Sequence, residues 1–311
     1  MGWSGRSGAD TACGNGRSTL REGRDLMKKW NLVIDVQRCF GCQACTLACH
    51  DEYYGNEFPG YAAEMPRLGH RWIDVHQREK GEFPVVDVAY LPVTCNHCDD
   101  APCLKAARDG AVVKRDDGIV IIVPEKAKGQ RQIVDACPYG AISWNDAAEL
   151  PQAWPFDAHL LDAGWTRTRG SQVCPTHAMR TLHVEDDEMQ RIARVEGLEV
   201  LHPEYGTRPR VYYKNLDRYF KAFVAGSLAG EIDGVTECVE GARVTLERDG
   251  RTLAETRSDP YGDFRFDDLD EASGAYRVRI DDPRFAAGTL EFQLGESRHL
   301  GTVVLAPRAS A

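Results

Sequence analysis

The chain has 311 residues, 42% hydrophobic and 28% charged, with 38 Lys and Arg against 48 Asp and Glu, a formal net charge of −10. That length allows two domains that each bury a core. The acidic balance argues against nucleic acid or an anionic membrane surface as partner, since both are gripped through surplus Lys and Arg. The longest apolar run, Ile119–Val123, is strand-length and far short of the roughly 20 residues of a spanning helix, so no membrane partner is expected.

Residues 1–26 are rich in Gly, Ser and Arg, with no apolar stretch of signal-peptide type and no twin-Arg pair. They read as a disordered tail ahead of Met27, itself a possible start, and the protein as cytoplasmic. Leu32–Val36 is predicted as a strand leading into Cys39, and Ala44–Tyr54 as a helix. Val112–Val113 and Ile119–Val123 flank Asp116-Asp117-Gly118, a hairpin turn. Glu125–Ala136 is predicted helical, running to Cys137-Pro138, and Ala141–Trp144 returns as a strand. Such repetition suggests a duplicated α+β unit. Asp186–Val195 places Met189, Ile192 and Val195 on one helical face, with Gly197 as a stop. After the aromatic, basic stretch Pro209–Tyr219, the chain from about Leu228 is all-β. Arg243–Arg248 and Arg251–Thr256 flank Asp249-Gly250, Phe264 and Phe266 alternate, and Tyr276, Val278 and Ile280 and then Thr302–Leu305 follow. Short strands at this spacing indicate a small β-sandwich, to which no chemistry is assigned.

Eleven cysteines in a chain of this kind point to metal rather than disulfides. Cys39, Cys42, Cys45 and Cys49 have the spacing C-x2-C-x2-C-x3-C, the bacterial ferredoxin run. Its first three thiolates hold one [4Fe-4S] cubane and its fourth serves another cluster. A zinc site is normally built from two separated pairs instead. Cys95, Cys98 and Cys103 form a C-x2-C-x4-C triplet, with Ala107 where a donated fourth cysteine usually sits. Cys137-Pro138 and Cys174-Pro175 each look like the end of a run whose first three cysteines have gone; upstream of Cys137 the matching positions are Ala127, Gln130 and Ile133.

In ferredoxin-like proteins with four such runs, the first exchanges its last cysteine with the fourth, and the second with the third. Under that rule Cys39, Cys42, Cys45 and Cys174 make one ligand set, and Cys95, Cys98, Cys103 and Cys137 another. The site at Ala107, Ala127, Gln130 and Ile133 has lost all four ligands together, as removal of a whole cluster would leave it. A third cluster would need Cys49 with Trp154, Asp157 and Gly170, of which only Asp157 can ligate iron; Cys49 then reads as a free buried thiol. Cys13 and Cys238 read as bystanders. His50 and His97, inside the cysteine loops, either tune a cluster or simply face solvent. His70-Arg71-Trp72 and Tyr212-Tyr213-Lys214 suit an interface or ordinary core packing equally. No phosphate-binding loop and no nucleophile–base constellation is legible, so the chain alone is not read as catalytic.

With these runs in place, the chain resembles the iron–sulfur subunits of the DMSO-reductase family of molybdenum enzymes from about Trp30 to Phe220. Within it the similarity is to the small subunits of pyrogallol–phloroglucinol transhydroxylase and resorcinol hydroxylase. It rests on VIDVQRCFGCQACTLACHDE, NEFPGY, GHRW, PVTCNHCDDAPC, DGIVIIVPEKAKG, DACPYGAISWN, AHLLD and GTRPRVYYKNL. The resemblance implies an α+β fold: a duplicated bacterial ferredoxin-like domain over 27–222, then a small all-β sandwich, Ig-like or carboxypeptidase-regulatory-like, over 223–311. It also implies two [4Fe-4S] clusters on the eight paired cysteines and a large partner subunit holding a molybdenum bis-pterin guanine dinucleotide. The partner would do the chemistry on a phenolic ring, with a soluble electron donor or acceptor as a further partner. Trp154, Asp157 and Gly170 depart from the transhydroxylase pattern, where a third cluster's cysteines are expected. The rivals are a free-standing ferredoxin, which leaves the β-domain unexplained, and a zinc-bound interaction module, which would be colourless.

Overall fold

The computed structural model describes residues 27–232 and 234–308; Cys13 and the rest of the N-terminal segment lie outside the described residues. Strand β1 (Lys29–Asp35) is the middle of a three-stranded sheet, antiparallel to Met179–Val184 and parallel to Val211–Lys214. Its Leu32, Val33 and Ile34 are buried, as the apolar run in the sequence requires of a central strand. Helix α1 (Ala44–Tyr53) follows, then a long antiparallel hairpin of β2 (Ile73–Glu82) and β3 (Val85–Thr94). The expected Asp-Asp-Gly hairpin is present, Val112–Lys114 pairing with Val120–Ile122. Gly118 sits at φ +89, and a Cβ there would lie 2.7 Å from the Arg210 side chain.

Two expectations need correction. The predicted helix over Glu125–Ala136 is two short helices, Pro124–Ala127 and Gln132–Asp135, interrupted at Gly129 with φ +77. Positive φ breaks the helical ladder there, and the Gly129 N–H bonds to Glu149 O instead. The helix Asp186–Glu196 does stop on Gly197 in the left-handed region, but only Met189 of its apolar face is buried and Val195 is 73% exposed.

From Ala222 onward the chain forms two four-stranded sheets. In one, Ala222–Ile232 pairs with Val235–Cys238, Asp263–Leu269 and, in parallel, Arg298–Leu305. The other has the order Arg251–Arg257, Arg243–Arg248, Gly274–Asp281, Gly288–Leu294, all antiparallel. Inward side chains of both sheets, among them Val224, Phe264, Phe266, Val244, Val278 and Ile280, share one apolar core. The β2–β3 hairpin leans on the start of this part. Buried Lys80 donates to the Arg218 and Lys221 carbonyls, and Asp87 takes Arg218 at 3.2 Å and Arg265 at 3.4 Å. No helix among the described residues is long and apolar enough to cross a membrane.

Candidate cluster-binding sites

The pairing around β1 brings the first set together. Ile34 opposes Met179, and the Asp35 N–H donates to the Ala178 carbonyl at 2.8 Å, so the Cys174 loop lies against the end of the strand that delivers Cys39. Cys174 ends the short helix Arg169–Val173, and Pro175 prevents its continuation. Between Cys39 and Cys45 the backbone passes through left-handed Gly41 (φ 73) and Gln43 (φ 61) before α1 begins. A Cβ on Gly41 would lie 2.3 Å from the Tyr90 ring, so only glycine lets this loop sit against β3. Cys39, Cys42, Cys45 and Cys174 then border one small pocket with Val75, Pro92 and Met179.

The second set hangs on β3 and the segment before Val211. Cys95 follows β3; the loop after it is held by Asp99 N–H to Arg208 O (2.9 Å), Asp100 N–H to Thr207 O (3.0 Å) and Arg210 N–H to Asn96 O (2.9 Å). Buried Arg210 also clamps Asp99 at 2.6 Å and Asp186 at 3.0 Å. Cys103 sits on the short helix Pro102–Ala106, started by its proline, which packs on Gln132–Asp135 and so meets Cys137. Cys98, Cys103 and Cys137 share an apolar cluster with Ala101, Val120 and Ile133.

Burial pushes the thiols up, Cys45 to about 11 and Cys103 to about 12, and neighbouring cysteines add to it, Cys39 on Cys45 and Cys137 on Cys103. The opposing influence is hydrogen bonding to sulfur from the backbone of Gly41 for Cys39, Thr46 for Cys45, His97 for Cys95 and Leu104 for Cys103; Cys174 Sγ also accepts from Ala178 N–H at 3.2 Å. Four such sulfurs can ionise together only around positive metal, and thiolates select soft ions or iron–sulfur clusters. Among the described residues no three His, Cys, Asp or Glu side chains meet closely enough to share a single ion.

The positions that two further clusters would have used also gather. Ala107, Ala127 and Ile133 pack in one apolar cluster, and the Gln130 side chain bonds to Arg108 N–H at 2.9 Å, one residue beyond Ala107. Cys49 is buried beside Asp157, whose charge raises its thiol after burial itself. Asp157 in turn accepts from the Trp154 indole at 2.8 Å, the Tyr53 hydroxyl at 2.9 Å and the Arg169 N–H at 2.8 Å. A Cβ on Gly170 would meet Met179 at 3.2 Å and Cys45 at 3.6 Å. The Asp157 oxygens are thus already engaged by protein donors, and Cys49 lies as a buried thiol.

Of the two histidines in the cysteine loops, His97 does not face solvent; it is 1% exposed, with Nδ1 accepting from Val120 N–H at 3.0 Å. Burial holds it neutral, its pKa lowered to about 3. His50 is half-buried and bonds the Arg67 carbonyl at 3.1 Å. Trp72 and Tyr213 belong to the core, Tyr213 donating to Pro92 O at 3.0 Å. Cys238 is exposed on an outer strand. Sequence reasoning misses Arg210 and Tyr90: both act across long loops, and only Asp99 beside Cys98 hints at a charge partner.

Two groups of four cysteines on a ferredoxin-like frame define an iron–sulfur protein of the electron-transfer class. Residues 86–184 match the family model described as a 4Fe-4S dicluster domain. The chain is 43% identical over 258 residues to the pyrogallol hydroxytransferase small subunit of Pelobacter acidigallici, covering 82% of this chain and 91% of that one. The beta subunit of perchlorate reductase from Dechloromonas aromatica is 31% identical over 247 residues, 58% of this chain and 73% of its own. The arsenate respiratory reductase iron–sulfur subunit of Shewanella sp. is 37% identical over 133 residues, 43% and 52% respectively. The chain belongs to the family of the pyrogallol hydroxytransferase small subunit, among the iron–sulfur electron-transfer subunits of molybdenum oxidoreductases.

Proposed function

We propose that Cys39, Cys42, Cys45 and Cys174 hold one [4Fe-4S] cluster and that Cys95, Cys98, Cys103 and Cys137 hold a second. The observation that carries this reading is the fourfold convergence. The cysteine-free positions Ala107, Ala127, Gln130 and Ile133 fall together, as do Cys49, Trp154 and Asp157, with Gly170 next to the Arg169 N–H that Asp157 accepts, so the exchange of last ligands between runs accounts for every group at once. When bound, the clusters supply one-electron storage at potentials tuned by charge, exposure and hydrogen bonds to sulfur. The chain holds the sulfurs, donates backbone N–H groups to several of them and buries Cys45, Cys98 and Cys103.

The partner is a large subunit carrying molybdenum bis-pterin guanine dinucleotide, which acts on a phenolic ring by hydroxylation or transhydroxylation, with an outside carrier as the second electron partner. Phe40 and Leu47, 54% and 67% exposed on either side of the exposed Cys42, form an apolar rim that supports docking of that subunit over the first set. The iron–sulfur domain spans 27–222 and an Ig-like sandwich 223–311, and the complex works in the cytoplasm. Anaerobic isolation of the native complex tests this. About eight iron atoms per copy of this chain, a brown colour that bleaches on reduction and a co-purifying molybdenum chain are expected. A colourless chain with bound zinc would overturn it.

A further inference from the structure

Between the two cysteine groups lies a run of buried side chains for which the ligand assignment has no use. His97, in the loop between Cys95 and Cys98, meets Trp154 with ring centres 5.7 Å apart and Phe156 at 5.0 Å, both edge to face. Trp154 and Phe156 are themselves 4.8 Å apart. The Trp154 indole N–H donates to Asp157 at 2.8 Å, and the same oxygen receives the Tyr53 hydroxyl at 2.9 Å. Tyr53 ends α1, the helix that carries Cys45 and Cys49. His97, Trp154, Phe156, Asp157 and Tyr53 are all at most 1% exposed.

We propose that Trp154, oriented by Asp157 and packed against His97, is the medium through which an electron crosses between the two cysteine groups. The proposal rests on the two-cluster reading. Electron tunnelling weakens steeply with distance and most steeply across gaps. Contact runs from the Cys95–Cys98 loop through Trp154 and Asp157 to the Arg169–Gly170 backbone, where a Cβ on Gly170 would lie 3.6 Å from Cys45, and this gives the crossing its route. Each feature of Trp154 suits that role. A large flat ring fills space that a third cluster would have needed, and a single strong hydrogen bond fixes its plane. The second Asp157 oxygen is held by Arg169 N–H at 2.8 Å, so the acceptor is itself immobile. Burial raises the Asp157 carboxyl, but these three donors oppose it and give an ionised oxygen the contacts it needs.

The step balances simply: one cluster gives up one electron and the other gains it, with no bond made or broken and no proton moved. Iron–sulfur potentials lie well below what removing an electron from indole requires. The electron therefore passes through the ring without resting on it, and no tryptophan radical forms.

The test uses the full chain loaded with both clusters, in three forms: unaltered, Trp154→Phe and Trp154→Leu. Flash photoreduction followed by freeze-quench electron paramagnetic resonance reads how fast the electron equilibrates between clusters. The expected result is an equilibration at least tenfold slower in Trp154→Leu and an intermediate rate in Trp154→Phe. Iron content, both midpoint potentials and the magnetic splitting between clusters should stay unchanged. An unaltered rate in either variant with both clusters present overturns the proposal. If Trp154→Leu fails to load, the better-packed Trp154→Phe decides. Fewer than two clusters in the unaltered chain would instead remove the reading on which the proposal stands, an outcome the iron count separates from the rate.

Discussion

At the scale of single residues, ligand chemistry and backbone conformation impose different demands, and Gly41 is where they meet. The Cys39–Cys45 loop must turn three sulfurs toward one pocket, which takes left-handed backbone at Gly41 and Gln43. Gln43 tolerates that conformation at a cost of about 1–2 kcal/mol; Gly41 has a second constraint, because the Tyr90 ring lies where its Cβ would be. Gly41→Ala should therefore lower iron by up to about four atoms per chain while the signal of the second cluster persists. Adding Tyr90→Ala should restore part of the loss, since it removes the clash and leaves only the φ strain. Full iron loading of Gly41→Ala, measured colorimetrically on anaerobic protein, would contradict this account of the loop.

At the scale of elements, what the sequence makes legible is what local rules decide. The cysteine spacings, β1, α1, the hairpin around Gly118, the Gly197 stop and the period-2 strands at Phe264 and Tyr276 all follow from turn chemistry and alternation. The β2–β3 hairpin escapes those rules because IDVHQREKGE is mostly charged beyond Val75; its strand character comes from pairing with Val85–Thr94, a tertiary effect. The helix break at Gly129 is masked by good helix formers on both sides, although a mid-helix glycine warns of such a break. For the site, the proposed ligand assignment comes from counting runs, whereas the Asp157 network cannot be reached that way. Tyr53 is distant in sequence from Trp154 and Asp157, and the hydrogen bond that joins it to them exists only once α1 meets the segment before Ala158.

For the whole molecule, the cysteine-bearing part and the two-sheet part are joined by charge as well as packing. Asp87 on β3 accepts from Arg218 and from Arg265 of the two-sheet part, while Arg265 lies over the Phe223 ring at 3.9 Å. Burial alone would raise the Asp87 carboxyl, but the two guanidiniums bring it below the ordinary carboxylate value of 3.8. A depressed carboxylate contributes stability above its unfolded pKa and loses it as pH falls through the folded value. Asp87→Asn should therefore lower the thermal midpoint near neutral pH, with the difference from the unaltered chain shrinking below about pH 4 and vanishing at lower pH. A difference that stays constant from neutral to acid conditions would show that the contact acts through packing alone.

If Cys174 closes the site that Cys39 begins, Cys49 is a spectator. Iron content with electron paramagnetic resonance of Cys174→Ser and Cys49→Ala, each isolated anaerobically, tests this most directly. Cys174→Ser should lose one cluster signal and up to about four iron atoms, while Cys49→Ala keeps about eight. The reverse pattern, intact clusters in Cys174→Ser with loss in Cys49→Ala, would contradict the exchange of ligands between the runs.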